Sequence, residues 1–114
     1  MDEVRVRDLE AVRAARPDKP AKVNLVQTPR FFADVWVLAP GQAQAAHRHE
    51  REDKLVQVLS GVALARTGAQ THRLRAGQLL FCPAGEEHTL ENPGAEDLRV
   101  LVVMTPHPKP PPGA

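Results

Sequence analysis

The sequence predicts an all-β fold in which many short strands form one barrel. Short apolar segments recur from Lys22 onward, and turn-forming pairs such as Pro40-Gly41 and Ser60-Gly61 separate them. Only one segment has the pattern of a helix, which argues against alternating strands and helices. The candidate strands are Lys22–Thr28, Phe31–Ala39, Lys54–Leu59, Val62–Arg66, Thr71–Leu74, Gln78–Cys82, His88–Glu91 and Leu98–Met104.

The regions on either side of the strands have a different character. Residues 8–16 predict a short helix, because Asp8 is a suitable N-cap and Leu9 and Val12 share one helical face. The end of the chain is rich in proline, which cannot donate a hydrogen bond to a sheet. We therefore divide the chain into an N-terminal extension (1–21), a barrel (22–105) and a flexible tail (106–114).

Composition restricts the possible functions. The chain has 114 residues, enough for one domain, and its formal net charge of +1 gives no basic surface for nucleic acid. No apolar run approaches the roughly 20 residues of a membrane-spanning helix. The single cysteine, Cys82, cannot form an internal disulfide, and the charged N-terminus lacks the apolar stretch of a signal peptide. We therefore expect a cytoplasmic protein.

The histidines point to a site. His47 and His49 are two residues apart, so on a strand their imidazoles face the same side, as metal ligands must. His88 begins another candidate strand, and a closed barrel can bring it opposite this pair. His72 and His107 stand alone; we interpret them as a surface strand residue and a residue of the tail.

Two spaced motifs surround the three histidines. The first reads Gly41-(x5)-His47-x-His49-(x4)-Lys54-(x6)-Gly61, and the second reads Gly77-(x5)-Pro83-x-Gly85-(x2)-His88-(x3)-Asn92. They resemble the two signature motifs of the cupin family, G-(x5)-H-x-H-(x3,4)-E-(x6)-G and G-(x5)-P-x-G-(x2)-H-(x3)-N. The second motif matches at all five fixed positions and the first at four of five.

The resemblance implies a small single-domain cupin, with a jelly-roll barrel (a double-stranded β-helix) and a homodimeric assembly. It also implies a metal pocket in the barrel whose ligands are His47, His49 and His88. We predict that the remaining pocket residues are Lys54, Trp36, Val56 and Phe81.

The first motif departs from the family at Lys54, where the fourth ligand is usually a glutamate. An ammonium group has no lone pair and repels a divalent cation, so three alternatives stay open. The metal remains on the three histidines while Lys54 turns away, as in the three-histidine centres of thiol dioxygenases. A one-residue register slip makes Asp53 the fourth ligand. Or the metal is lost, and Lys54 and the histidines bind an organic anion.

Two functions follow from these alternatives. The first is a metal-dependent enzyme, of dioxygenase or isomerase type, that acts on a small anionic substrate. Its cofactor would be one divalent transition metal (Zn, Fe, Ni, Cu or Mn), and loss of the carboxylate disfavours Mn. The second is a non-catalytic cupin that binds a small organic ligand. Neither involves nucleic acid or a membrane.

Overall fold

The computed structural model describes residues 5–109, which form nine strands and one short 3₁₀ helix. The helix is Leu9–Ala11. The strands are β1 (Ala21–Thr28), β2 (Phe31–Leu38), β3 (Ala43–His47), β4 (Asp53–Ser60), β5 (Val62–Thr67), β6 (Gln70–Arg75), β7 (Leu79–Cys82), β8 (His88–Glu91) and β9 (Leu98–Thr105).

The strands form two antiparallel sheets that pack face to face. One sheet has the order β1-β2-β9-β4-β7 and the other the order β3-β8-β5-β6. The barrel core lies between them, because its buried side chains come from both sheets. It comprises Trp36, Leu38, Val56, Val58, Ala63, Ala65, Leu74, Leu80, Cys82, Leu90, Leu98, Val100 and Val102.

The all-β prediction is confirmed, and every candidate strand forms with its ends shifted by two residues or fewer. The prediction omitted β3, whose five residues include no β-branched or aromatic side chain apart from the terminal histidine. The short N-terminal helix is also confirmed, with Asp8 as its N-cap, although it ends at Ala11 and residues 12–16 are irregular. Within residues 5–109, no helix is long and apolar enough to cross a membrane. The predicted flexible tail lies outside the described residues from position 110 onward.

The N-terminal segment covers the outer face of the five-stranded sheet. Leu9 and Val12 pack against a second cluster that includes Val35 and Val37 of β2. Arg99 of β9, which is 2% exposed, binds this segment through hydrogen bonds. Its guanidinium donates hydrogen bonds to the carbonyl oxygens of Leu9 and of Val12, the latter at 2.9 Å. Burial of this arginine therefore depends on the N-terminal segment, which supplies its acceptors.

Two glycine turns connect strands of the barrel. Gly61 links β4 to β5 at a φ of +87°, and Gly77 precedes β7 at +89°. A Cβ atom on Gly61 would lie 2.7 Å from the carbonyl oxygen of Asp97, whereas one on Gly77 would meet nothing within 4 Å. Both turns need the left-handed conformation, but only Gly61 also needs the space of the missing side chain.

Candidate ligand pocket

The structure brings the three predicted histidines together at one end of the barrel. His47 is the last residue of β3 and pairs with His88, the first residue of β8. His49 follows two residues after His47, and the Nε2 atoms of these two rings are in hydrogen-bond contact. The ring centroid of His47 lies 4.1 Å from that of His49 and 5.4 Å from that of His88.

Lys54 reaches this cluster from the opposite sheet. On β4 its side chain faces inward, because it pairs with Met104 of β9 and Cys82 of β7, both buried. Lys54 is 1% exposed, and its Nζ atom lies 3.1 Å from Nε2 of His88. The side chain therefore crosses the interior between the sheets and ends on an imidazole.

The hydrogen bonds of His88 define its tautomer. Its Nδ1 atom lies 3.3 Å from the carbonyl oxygen of Glu86, which can only accept, so Nδ1 carries the proton. The Nε2 atom then has a free lone pair, and the ammonium group of Lys54 donates to it. The lone pair that could bind a metal is thus occupied by a cation.

The ammonium group of Lys54 lies in an unusual environment for a charge. Burial is the main cause that lowers its pKa, from 10.5 to about 8. Its Nζ atom lies 4.6 Å from the centroid of the Trp36 ring, a cation–π contact that favours the charged form. Among the hydrogen bonds and ion pairs of residues 5–109, none joins Lys54 to a carboxylate.

The histidines are neutral at neutral pH. Burial lowers the pKa of His47 to about 4, with smaller contributions from His49 and Lys54. Burial also lowers the pKa values of His49 and His88. The cluster therefore contributes hydrogen-bonding groups, and Lys54 contributes the positive charge.

In this arrangement the residues do not fit a three-histidine metal centre. Lys54 occupies the Nε2 lone pair of His88 and places an ammonium group beside it. Within residues 5–109, no group of three or more His, Cys, Asp or Glu side chains has the geometry to hold a metal ion. The Nε2 atoms of His47 and His49 do point toward each other. Two of the three predicted ligands are therefore directed at a common point.

A cavity of about 210 Å³ adjoins Lys54 and the histidine pair. The charged residues on its described wall are Lys22 of β1, Asp34 of β2 and Lys54 itself. The Nζ atom of Lys22 lies 4.1 Å from the centroid of the Trp36 ring, so two ammonium groups contact one indole. The wall comprises Lys22, Phe32, Asp34, Trp36, His47, His49, Lys54, Met104 and Pro108.

The other residues predicted for the site lie in different places. Trp36 lines the cavity, whereas Val56 is buried in the barrel core. The prediction for Phe81 needs correction, because it is 54% exposed and points away from the barrel interior. Asp53 is also exposed, and its carboxylate accepts a 2.9 Å hydrogen bond from the amide of Ala84, so the strand follows the register that turns Lys54 inward.

Sequence reasoning missed several wall residues. Phe32 and Asp34 share the inward face of β2 with Trp36, and the two-residue period of a strand would have placed all three together. Lys22 carries no such signal, because its position depends on the pairing of β1 with β2 opposite Trp36.

Comparison with known proteins places this chain in a family. The sequence pattern of the cupin domain matches residues 34–104, which is more than half of the chain. The chain is a cupin. A solved structure from Thermus thermophilus superposes on this cupin with a TM-score of 0.86, at 36% identity, covering 90% of this chain and 97% of the other.

Two curated relatives show how widely the domain is used. An oxalate-binding protein from Thermotoga maritima is 33% identical over 75 residues, which cover 66% of this cupin and 61% of the relative. A mannose-1-phosphate guanylyltransferase from Klebsiella pneumoniae is 33% identical over 81 residues, which cover 71% of this cupin. The cupin spans only 17% of that much longer relative.

Proposed function

We propose that this cupin binds a small organic anion in the cavity beside Lys54. One observation carries the proposal: a buried ammonium group faces a cavity and has no carboxylate partner among residues 5–109. A buried charge is expensive unless an opposite charge compensates it. A carboxylate in the cavity would supply that charge directly beside Lys54.

The geometry favours binding over catalysis. The cation–π contact with Trp36 and the hydrogen bond to His88 hold the Lys54 amine in place, as a fixed anion receptor requires. Of the relatives, the Thermotoga maritima protein is named for binding oxalate, which is also a small organic anion. That name supports only a small carboxylate as the class of ligand and does not make oxalate the ligand of this cupin.

The test compares Lys54→Met with Lys19→Met, an exposed lysine outside the cavity wall. Acetate, isovalerate, benzoate and oxalate are titrated at neutral pH against the full chain by calorimetry. We expect at least one to bind the native protein, with Lys54→Met weakening its affinity by about tenfold or more. Lys19→Met should leave the affinity unchanged, and Lys54→Arg should restore part of it. Equal affinity of the native and Lys54→Met proteins would contradict the proposal.

A metal-dependent enzyme is the second candidate, and the convergence of His47 and His49 favours it. It requires Lys54 to leave Nε2 of His88, so that three neutral imidazoles face one point. Zn, Fe, Ni, Cu or Mn would then support dioxygenase or isomerase chemistry on a small anionic substrate. Elemental analysis of protein purified without chelator distinguishes the candidates, because stoichiometric metal would support the enzyme.

We also propose the homodimer that the family resemblance implies. Leu79 and Phe81 lie on the outer face of β7, which is an edge strand, and are 59% and 54% exposed. Leu55, the neighbour of Phe81 on β4, is 38% exposed. Such a group of large apolar side chains is typical of a surface that a partner covers.

A further inference from the structure

We propose that the pocket selects a compact monocarboxylate with an apolar body, and that Asp34 excludes ligands with a second carboxylate. This inference deepens the proposed function and rests on it. It follows from three properties of the cavity: the chemistry of its walls, its fixed charges and its volume.

Apolar side chains stand directly beside the cationic group. Phe32 of β2, Met104 of β9 and Lys54 of β4 form one row across three paired strands, all facing the cavity. Pro108 adds a further apolar wall. A ligand whose carboxylate meets Lys54 must therefore place its remaining atoms against hydrocarbon and an aromatic ring, where a charged group would lose its hydration.

The carboxylate of Asp34 is the one negative charge on the described wall. It is held in place by neutral donors: Oδ2 accepts from Nε1 of Trp36 at 3.1 Å, and Oδ1 accepts from Nδ2 of Asn24 at 2.8 Å. These neutral donors orient the carboxylate, and the charge of Lys22 on the same wall attracts it. Asp34 follows Phe32 two residues along the same strand face, so it lies next to the space that the ligand body would fill.

The fixed charges on the wall match one negative charge on a ligand. Lys22 and Lys54 are positive and Asp34 is negative, which leaves an excess of one positive charge. Lys22 also donates a 2.6 Å hydrogen bond to Oε1 of Gln44, which directs its ammonium group toward a protein acceptor. A monocarboxylate balances the excess, whereas a dicarboxylate brings its second charge near Asp34.

The volume limits the apolar body. The cavity of about 210 Å³ is smaller than the usual range for drug-sized ligands, which begins near 300 Å³. It corresponds to about seven water molecules at ~30 Å³ each. A branched aliphatic acid or a single-ring aromatic acid fits this space.

The experiment uses Trp36 as the reporter, because it is the only tryptophan in a chain without tyrosine and it lines the cavity. Isovalerate and malonate have equal numbers of non-hydrogen atoms but one and two carboxylates. Each is titrated into the native protein, Asp34→Asn and the control Asp18→Asn, an exposed carboxylate outside the wall. An asparagine at position 34 can still accept from Trp36. Thermal unfolding shows whether each variant folds.

We expect the native protein to bind isovalerate about tenfold more tightly than malonate. Asp34→Asn should bring the two affinities within about threefold, and Asp18→Asn should leave the ratio unchanged. If Asp34→Asn does not fold, Phe32→Ala provides the second test, since it should weaken isovalerate and leave malonate unaffected. Malonate binding that equals or exceeds isovalerate binding in the native protein would overturn the selectivity alone. If neither acid binds the native protein, and Lys54→Met has the same affinity as the native protein for every acid of the first test, the selectivity and the proposed function both fail.

Discussion

The ammonium nitrogen of Lys54 lies 3.1 Å from Nε2 of His88, so a cation engages the lone pair that a metal ion would need. Cross-strand pairing fixes this relationship. Lys54 pairs with buried Cys82 and Met104, and His88 pairs with His47 in the other sheet. The residue at position 54 therefore sets the charge beside Nε2 of His88.

Lys54→Glu should convert the pocket into a metal site. A carboxylate in this place removes the cation beside His88 and adds an anionic ligand to the convergent imidazoles of His47 and His49. We expect stoichiometric uptake of Zn or Ni by the variant, measured by elemental analysis after dialysis, and loss of carboxylate binding. Lys19→Glu makes the same charge change outside the cavity and should take up no metal. A metal-free Lys54→Glu protein that still folds would contradict this prediction.

Ligand affinity and stability should respond to alkaline pH in opposite directions. In the folded protein burial lowers the pKa of Lys54 from 10.5 to about 8, so the folded state loses this proton before the unfolded state does. Between about pH 8 and pH 10.5 the unfolded state therefore binds more protons at Lys54 than the folded state does. Because proton binding and folding are linked, the free energy of unfolding rises with pH over this interval. Carboxylate affinity should fall over the same interval. Lys54→Met should reduce both trends. The pKa of Lys22 is also lowered by burial and adds to the rise in stability, whereas burial raises the pKa of Cys82 and opposes it. Trends of undiminished size in the variant would assign them to these groups.

Arg99 should anchor the N-terminal segment. Arg99→Met removes the donors to the carbonyl oxygens of Leu9 and Val12, and should lower the free energy of unfolding by about 2–4 kcal/mol. Arg13 of the same segment has a side chain that is 57% exposed. Arg13→Met should therefore change the free energy of unfolding by less than about 0.5 kcal/mol. Urea denaturation measures both. Equal stability of the two variants would mean that the segment is not held through Arg99.

The two glycine turns separate backbone strain from steric overlap. Gly77→Ala and Gly61→Ala both place a Cβ at a φ near +90°, at +89° and +87° respectively, which costs about 1–2 kcal/mol. Gly61→Ala should cost about 2 kcal/mol more, because its Cβ would lie 2.7 Å from the carbonyl oxygen of Asp97. Denaturant titration of the matched pair gives the difference. If the two substitutions cost the same, the loop at Asp97 relaxes freely.

A charge on the outer face of β7 should weaken the homodimer. Phe81 is 54% exposed and lies outside the cavity wall, so it can be changed without altering the pocket. We expect sedimentation velocity to show a dimer for the native protein and a monomer for Phe81→Arg, since an interface core does not accommodate an unpaired charge. Thr71→Arg on the exposed edge strand β6 is the control and should remain dimeric. A native monomer would refute the proposed assembly.

The fold was predictable because its signals are local. Turn residues at regular intervals separate the strands, and the spacing of His47, His49 and His88 follows a family motif. The inward face of β4 was not predictable, because Leu55 and Leu59 on one face are as apolar as Val56 and Val58 on the other. Only pairing with distant β9 and β7 selects the register that buries Lys54.

The error at Phe81 has the same physical origin. The run from Leu79 to Cys82 is apolar at every position, so it contains no alternation that would distinguish the two faces of β7. Its burial pattern alternates only in the structure, where Leu80 and Cys82 face the core and Leu79 and Phe81 face outward. The contact of Lys54 with His88 was not predictable for a similar reason. It joins β4 of one sheet to β8 of the other, and a local sequence pattern does not report contacts between sheets.

The position of β9 has a consequence for synthesis. The last strand of residues 5–109 lies at the centre of the five-stranded sheet, between β2 and β4. Until β9 leaves the ribosome, these two strands have no common partner, and their apolar inward faces have no completed barrel to enter. Nascent chains of this protein should therefore remain open until the final strand emerges, and this interval is when chaperones would be needed most.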